Sequence, residues 1–204
     1  MYNEKLLSKD DFLNELQDFV SKERLDMCER LFGIIPNYFW LVPASSTGKY
    51  HPSFSCRTGG LTNHTLAAMK IFKRLAKHFE VFNEDIEIGL IALTFHDTFK
   101  LGPKKERYTV HKHPLYAAVP FITLGENKIA ECIKSHMGRF NKNNYSNIIL
   151  PLPEDDLQML VHIADYLSSR KEMEDDLLTD ENGFSMEIAI DFCSNSIKET
   201  YLKI

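Results

Sequence analysis

Histidine and aspartate side chains occupy positions where the sequence predicts the buried faces of four helices. When each of these four helices is drawn with 3.6 residues per turn, the stripe of apolar residues on its buried face continues into a titratable residue. The residues at these positions are His64, His96, Asp97, His136 and Asp165. A buried carboxylate without a partner is strongly unfavourable, so the two aspartates require a cation. A divalent metal ion meets this requirement most simply, because imidazoles and carboxylates are its natural ligands. The pattern therefore predicts a metal centre. Two carboxylates balance one divalent ion, whereas two ions would leave a positive charge that attracts a phosphate group.

Each of these residues also has a simpler explanation when it is taken alone. A single histidine in a core more often makes hydrogen bonds than binds a metal ion, and Asp165 could pair with Arg170. Separate accidents do not explain why several such residues fall on inward faces together. We interpret two other histidines in the simpler way, because His78 lies near the end of its predicted helix and His162 falls off the buried side.

The elements that must position these side chains are helices. Apolar residues recur at helical spacing along most of the chain, and no strand-like alternation interrupts them. Ser8 with Asp11 gives a capping-box pattern, Asn83 precedes acidic residues, and Pro114 and Pro153 suit a first helical turn. We predict an all-α fold with helices over residues 8–32 (with or without a break), 61–79, from 83 onward, 114–125, 128–137, 153–173 and 186–202.

Length, composition and charge restrict the class of protein. A chain of 204 residues with 44% hydrophobic residues suffices for one domain with a core and is too short for two domains with linkers. The net charge of -5 argues against a broad basic surface for duplex nucleic acid. The 4 cysteines show no C-x-x-C spacing, and neither a signal-peptide pattern nor a membrane-length apolar run occurs. We therefore predict a cytoplasmic protein with free thiols and no membrane partner.

The order of the predicted ligands resembles that of the HD-domain metal-dependent phosphohydrolase superfamily. A histidine, a His-Asp pair and a distant aspartate define that superfamily, and His64, His96-Asp97 and Asp165 match this series. The resemblance covers about residues 49–171. It implies a single HD-type helical bundle.

Three local motifs carry the resemblance further. Residues 59–65 are similar to Gly-Gly-Leu-x-x-His-Thr, residues 96–100 to His-Asp-x-Gly-Lys, and residues 164–170 to Ala-Asp-x-Leu-x-x-Arg. One departure is Phe99, which stands where glycine is usual. Residues 43–52 also resemble a segment found in some bacterial and phage HD proteins.

The resemblance implies one or two divalent transition-metal ions (Mn, Fe, Co, Ni or Zn). The implied ligands of the first ion are His64, His96, Asp97 and Asp165. Asp97 would bridge to a second ion held by His113 and His136, because the dinuclear branch has a His-Pro element and a later histidine. His111 competes with His113, which the following proline favours. The expected single domain spans residues 1–204, with helices 8–33 and 186–202 packed on the metal-binding core.

The implied activity is hydrolysis of a phosphomonoester or phosphodiester, in a nucleotide or short oligonucleotide, by a metal-activated hydroxide. Asp97 and Lys100 are the expected catalytic residues, and Lys100 would stabilise charge on the phosphoryl oxygens. The residues expected to bind the phosphorylated substrate are Lys49, His51, Lys104, Arg107, His111 and Arg170. Two alternatives stay open, a di-iron oxygenase on the same scaffold and a non-catalytic, metal-stabilised nucleotide-binding module.

Overall fold

Helices make up the regular structure of residues 6–45 and 47–171, which are the part of the chain that this computed structural model describes. The α-helices of this part are α1 (Lys9–Leu16), α2 (Lys22–Phe32), α3 (Gly60–His78), α4 (Asn83–Phe95), α5 (His113–Thr123), α6 (Asn127–Ser135) and α7 (Asp156–Ser168). Short 3-10 helices lie at Asn37–Trp40, Ser53–Ser55 and Gly138–Phe140. The same residues contain no β-strand, so the predicted all-α fold is confirmed. The helix predicted over residues 186–202 lies outside the described residues.

The long N-terminal helical pattern is divided into two helices. Ser8 and Asp11 form the predicted capping box at the start of α1, where the Ser8 N–H donates to the Asp11 carboxylate at 2.7 Å. Between α1 and α2 the chain leaves the helix. Ser21 lies at this break and donates both its N–H and its hydroxyl to Glu87 of α4, at 2.9 and 2.6 Å. These bonds attach the start of α2 to the helical bundle.

Two helix starts differ from those predicted. Asn83 is the first residue of α4 rather than the residue that caps it. α7 begins after Asp155 instead of at Pro153, because the Asp155 carboxylate accepts the Gln158 N–H at 2.8 Å and caps the helix there.

The end of α7 also lies earlier than predicted. The last helical residue is Ser168, whereas the sequence pattern predicted a helix to about Met173. Beyond this point the backbone makes a different contact, in which the Lys171 N–H donates to the carbonyl oxygen of Tyr50 at 2.8 Å. Just before it, the N–H groups of Ser169 and Arg170 donate to the carbonyl oxygens of Tyr166 and Leu167, three residues earlier, so the last turn is tightened where the helix ends.

α3 is the central helix of the bundle. It packs against α4 and α7, and α6 packs against α4, α5 and α7. Gly89 lets α3 and α4 approach closely, because a Cβ at this position would lie 2.1 Å from Cζ of Phe72. The N-terminal helices join this core through aromatic contacts, among them Phe32 with Phe95 at a centroid distance of 4.9 Å. Across the described residues, none of the helices combines the length and apolar character that a membrane span requires.

The cysteines of the described residues differ in accessibility, which leads to a prediction. Cys28 and Cys132 are buried, and burial raises the pKa of both thiols to about 12. Cys56 is partly exposed. Because the thiolate is the reacting form of cysteine, we expect iodoacetamide to modify Cys56 well before Cys28 and Cys132. Peptide mass spectrometry of the folded protein measures this order, with urea-unfolded protein as the control. Equal labelling of the three residues before unfolding would contradict the burial.

Candidate metal centre

The six predicted metal ligands lie at or near the ends of five helices. His64 is close to the start of α3, His96 and Asp97 follow α4, His113 begins α5, His136 follows α6, and Asp165 is in the last turn of α7. Two glycines permit the start of α3. Gly59 has a φ of +73°, and a Cβ on Gly60 would lie 2.1 Å from the carbonyl oxygen of Ser55. Packing of the helices brings these separate ends together.

One group of contacts joins two histidines to two carboxylates. Oδ1 of Asp165 lies 3.0 Å from Nε2 of His64 and 3.3 Å from Nε2 of His96. Oδ2 of Asp97 lies 3.7 and 3.6 Å from the same two nitrogens. Four potential ligand atoms, from two helices and the end of a third, therefore surround a common space.

A second group of contacts involves the other oxygen of Asp97. Its Oδ1 lies 3.0 Å from Nε2 of His113 and 3.9 Å from Nε2 of His136. The two carboxylate oxygens of Asp97 thus face different pairs of histidines. A carboxylate placed in this way is suited to bridge two cations.

Backbone hydrogen bonds determine which ring nitrogen of each histidine faces the centre. The Nδ1 atoms of His96, His113 and His136 lie 2.6, 2.8 and 2.7 Å from backbone carbonyl oxygens three residues earlier. Because a carbonyl oxygen only accepts hydrogen bonds, each Nδ1 is the donor and each neutral ring has its lone pair on Nε2. Metal-binding histidines are oriented in the same manner by their second nitrogen.

Lone pairs without donors accumulate at the centre. Nδ1 of His64 lies 2.9 Å from the hydroxyl of Ser168, which itself donates to a backbone carbonyl, so His64 also directs Nε2 inward. Nε2 of His64 and Nε2 of His96 are buried without a hydrogen-bond partner. Nε2 of His113 and Nε2 of His136 face each other at 3.3 Å. Such an arrangement is unfavourable unless the nitrogens share a cation.

The electrostatics of the centre also favour a cation. Burial raises the pKa of Asp97, but Lys100 and His96 outweigh this effect and hold the pKa well below its usual range. Burial is likewise outweighed at Asp165, where the His96 ring lowers the pKa most strongly. Burial, together with the neighbouring His96, lowers the pKa of His136 to about 3. Burial lowers the pKa of His96, but Asp97 and Asp165 outweigh this effect and raise it. The cluster therefore combines ionised carboxylates with a His96 ring that they favour in its charged form, and a divalent ion would take the place of the proton on Nε2.

The residues present fit a divalent metal ion. All of the donor atoms are imidazole nitrogens or carboxylate oxygens, which bind transition metals. In each of two groups, the ligand atoms lie within 4.8 Å of one another; the groups are His64 with His96 and Asp165, and His96 with Asp97 and His136. Histidines and aspartates at these positions could hold one ion or two.

Five of the six candidate ligands, all except His96, form the floor of a pocket of about 230 Å³. Four of the predicted catalytic or substrate-binding residues line this pocket, namely Asp97, Lys100, His51 and Arg170. Nζ of Lys100 lies 2.5 Å from Oδ2 of Asp97. The His51 ring lies 5.8 Å from that of His64 between centroids, and burial lowers the pKa of His51 to about 3, so this ring is neutral.

Three other predicted substrate residues do not line the pocket. Nζ of Lys49 lies over the ring of Tyr50, 4.9 Å from its centroid, and Lys49 is exposed. Lys104 and Arg107 are exposed on the loop that follows Lys100. Long charged side chains in a loop extend into water when no buried partner holds them. These three residues therefore lie outside the pocket lining, and their contact with substrate stays a prediction.

The structure separates the two histidines between which the sequence left a choice. Nε2 of His111 lies 3.1 Å from the backbone carbonyl oxygens of Asn141 and Ile148. His111 thus links two loop segments and does not line the pocket, and its contact with substrate stays a prediction. His113 is 1% exposed and lies against Asp97.

His162 is a pocket residue that the sequence interpretation missed. It was placed off the buried side of its helix, but it is 3% exposed and lines the pocket. Its Nδ1 donates to the carbonyl oxygen of His136 at 2.7 Å. A Cβ on Gly138 would lie 2.3 Å from the ring, so glycine is needed where His162 packs. The signal that could have revealed His162 is its spacing of three residues from Asp165, which places both on one helix face.

Comparison with known proteins places this centre in a family. A family model described as HD domain matches residues 61–170, which is more than half of the chain. No curated protein and no solved structure gives a match. The matched segment contains all six candidate ligands. The chain therefore belongs to the HD domain family, the superfamily of metal-dependent phosphohydrolases.

Proposed function

We propose that this protein hydrolyses a phosphomonoester or phosphodiester of a nucleotide or short oligonucleotide. The proposed metal ligands are His64, His96, Asp97, His113, His136 and Asp165. The observation that supports the proposal best is the convergence of four histidine Nε2 atoms, with their lone pairs directed inward, on two ionised carboxylates. Separate core histidines would not be expected to share one pocket floor.

A divalent ion at this centre would supply Lewis acidity, which polarises a phosphoryl oxygen and lowers the pKa of water. The side chains of the chain have complementary tasks. Asp97 and Asp165 supply negative charge that holds the cofactor. Hydrogen bonds from Nδ1 fix the rings of His96, His113 and His136 in the orientation for ligation.

Lys100 is the proposed stabiliser of the transition state. Its ammonium group contacts Asp97 and lines the pocket, with a side-chain exposure of 15%. During hydrolysis a water oxygen forms a bond to phosphorus, the bond from phosphorus to the leaving oxygen breaks, and that oxygen takes up a proton. Negative charge grows on the non-bridging oxygens, where a cation fixed beforehand lowers the barrier.

The size of the pocket limits how much of a substrate it encloses. Sites that enclose whole drug-sized ligands have volumes of about 300–1,000 Å³, and this pocket has about 230 Å³. We therefore expect the reacting phosphate to enter the pocket, while the remainder of the molecule crosses its rim. The neutral His51 ring lies in the pocket wall, where it can form a hydrogen bond with that molecule.

The proposal predicts that the purified full chain contains a transition metal and hydrolyses members of a phosphoester panel. Metal content is measured by mass spectrometry, and product release is followed with manganese, cobalt or iron present. Treatment with a chelator should abolish the reaction, and addition of metal should restore it. A silent panel with metal bound in full occupancy would refute the proposed activity.

A di-iron oxygenase is the second candidate function. The donor set of four histidines and two aspartates is also compatible with iron. Oxygen consumption by the iron-loaded protein, with no phosphoester hydrolysis, would support this candidate instead. The cationic groups in the pocket wall, Lys100 and Arg170, favour the hydrolase because they complement a phosphorylated substrate.

A further inference from the structure

A layer of aromatic rings and guanidinium groups borders the pocket where α7 ends. The residues of this arginine–aromatic layer are Tyr50, Arg139, Phe140, Tyr166 and Arg170. Cζ of Arg170 lies 5.4 Å from the ring centroids of both Tyr50 and Tyr166. Cζ of Arg139 lies 4.9 Å from the centroid of Tyr166 and 5.0 Å from that of Phe140. Two cations therefore flank the single ring of Tyr166.

Hydrogen bonds hold this layer in place. Arg139 donates to the Tyr166 hydroxyl at 2.6 Å, which fixes the ring from behind the pocket. The Lys171 N–H donates to the carbonyl oxygen of Tyr50 and ties the loop with this ring to the end of α7. Tyr166 immediately follows the candidate ligand Asp165. The layer is thus positioned relative to the metal centre before any substrate binds.

Arg170 is the arginine of this layer that lines the pocket. Its side chain lines the pocket together with Tyr50 and Tyr166, whereas Arg139 does not. Cation–π contacts use the faces of a guanidinium group, and its N–H donors lie in the plane, in a geometry that matches two oxygens of one phosphate.

The pocket therefore has cationic groups in two different surroundings. Lys100 contacts Asp97 at the metal centre, and Arg170 lies in the arginine–aromatic layer. We infer that Arg170 binds a second phosphate group of the substrate, next to the phosphate that is hydrolysed. This inference rests on the proposed hydrolase function and deepens it. The substrate class is a nucleotide with two linked phosphate groups, joined either directly as a diphosphate or through a sugar.

Matched substrate pairs test this inference with the full, manganese-loaded chain. One pair is ADP and AMP, and the other is a dinucleotide with and without a terminal phosphate. We expect the wild type to prefer the doubly phosphorylated member of at least one pair, which also identifies the linkage. In Arg170→Ala this preference, as a ratio of kcat/KM values, should fall about tenfold or more, since hydrogen bonds to charged groups have that strength.

Two further variants control for unspecific effects. Arg30→Ala removes an exposed arginine of α2 far from the pocket wall and should leave the preference unchanged. Arg170→Lys keeps the charge but loses the planar donor group, so an intermediate preference is expected. If Arg170→Ala does not fold, the substrate preference of Arg170→Lys still tests the inference. An equal loss for both members of each pair, or no loss, would overturn the inference.

A binding measurement separates this inference from the proposed activity. The melting temperature of metal-loaded protein is recorded with inorganic pyrophosphate and with inorganic phosphate, and the metal content is checked afterwards. We expect pyrophosphate to stabilise the wild type more than phosphate does, and Arg170→Ala to remove most of this difference. If that result appears while no substrate is hydrolysed, the second phosphate site stands and the hydrolase function fails. Equal stabilisation of wild type and variant by pyrophosphate would reject the site.

Discussion

Asp97→Asn is expected to abolish phosphoester hydrolysis and to reduce the metal content of the purified protein. The substitution keeps the size of the side chain but removes the charge that faces two pairs of histidines through Oδ1 and Oδ2. Loss of a residue that only orients a ligand costs about 10–100-fold in metal affinity, and loss of a shared ligand should cost at least as much. Metal titration and kcat/KM on the best substrate of the panel measure the two effects.

Asp156→Asn is the matched control for this variant. Asp156 lies in the first turn of α7, is exposed, and does not line the pocket. The control changes the net charge by the same amount and should leave metal content and activity near those of the wild type. Wild-type hydrolysis by Asp97→Asn, with full metal occupancy, would show that the cluster is not the reacting centre. If Asp97→Asn lowers the melting temperature and the wild type itself shows no hydrolysis, the result would favour the non-catalytic binding module.

His113→Gln and His111→Gln are expected to differ strongly, although the two histidines are close in sequence. Nε2 of His113 lies 3.0 Å from Asp97, so its loss should remove a ligand of the second ion and lower activity by about 100-fold or more. Nε2 of His111 makes its hydrogen-bond contacts with backbone carbonyl oxygens, which the amide group of glutamine can also reach as a donor. Metal stoichiometry and initial rates at several manganese concentrations compare the variants.

The dependence on manganese makes this comparison specific. If His113 holds a more weakly bound second ion, high manganese should restore part of the activity of His113→Gln. His111→Gln should behave as the wild type at every concentration, apart from a small change in melting temperature. The reverse order, with His111→Gln inactive and His113→Gln active, would contradict the assignment made from the geometry.

The sequence by itself determined the fold class and the residue types of the candidate centre. Helical spacing is a local property, so the all-α fold and most helix positions follow from the apolar pattern. The same pattern shows that His64 and Asp165 continue buried faces, because a helix presents every third or fourth residue on one side. The capping box of Ser8 and Asp11 is also local, and the structure confirms it.

Helix ends were less predictable than helix positions. The start of α7 depends on whether Asp155 or Pro153 begins the helix, and both residues suit that place. Shortly after its end, Lys171 makes a hydrogen bond with the distant residue Tyr50. The helical repeat of apolar residues does not show which of two similar capping signals starts a helix. It also does not show which contacts the helix end makes with remote segments.

Only the tertiary structure decided which polar side chains share the pocket. His111 and His113 have similar sequence surroundings, but the turn before α5 directs one toward loop carbonyls and the other toward Asp97. Arg170 lines the pocket and Lys104 does not. Both residues lie outside the α-helices, where no helical repeat predicts the direction of a side chain. His162 was missed because its burial is created by Gly138, which belongs to another segment. Positions along one helix follow from local geometry, whereas the meeting of separate segments depends on how the whole chain packs.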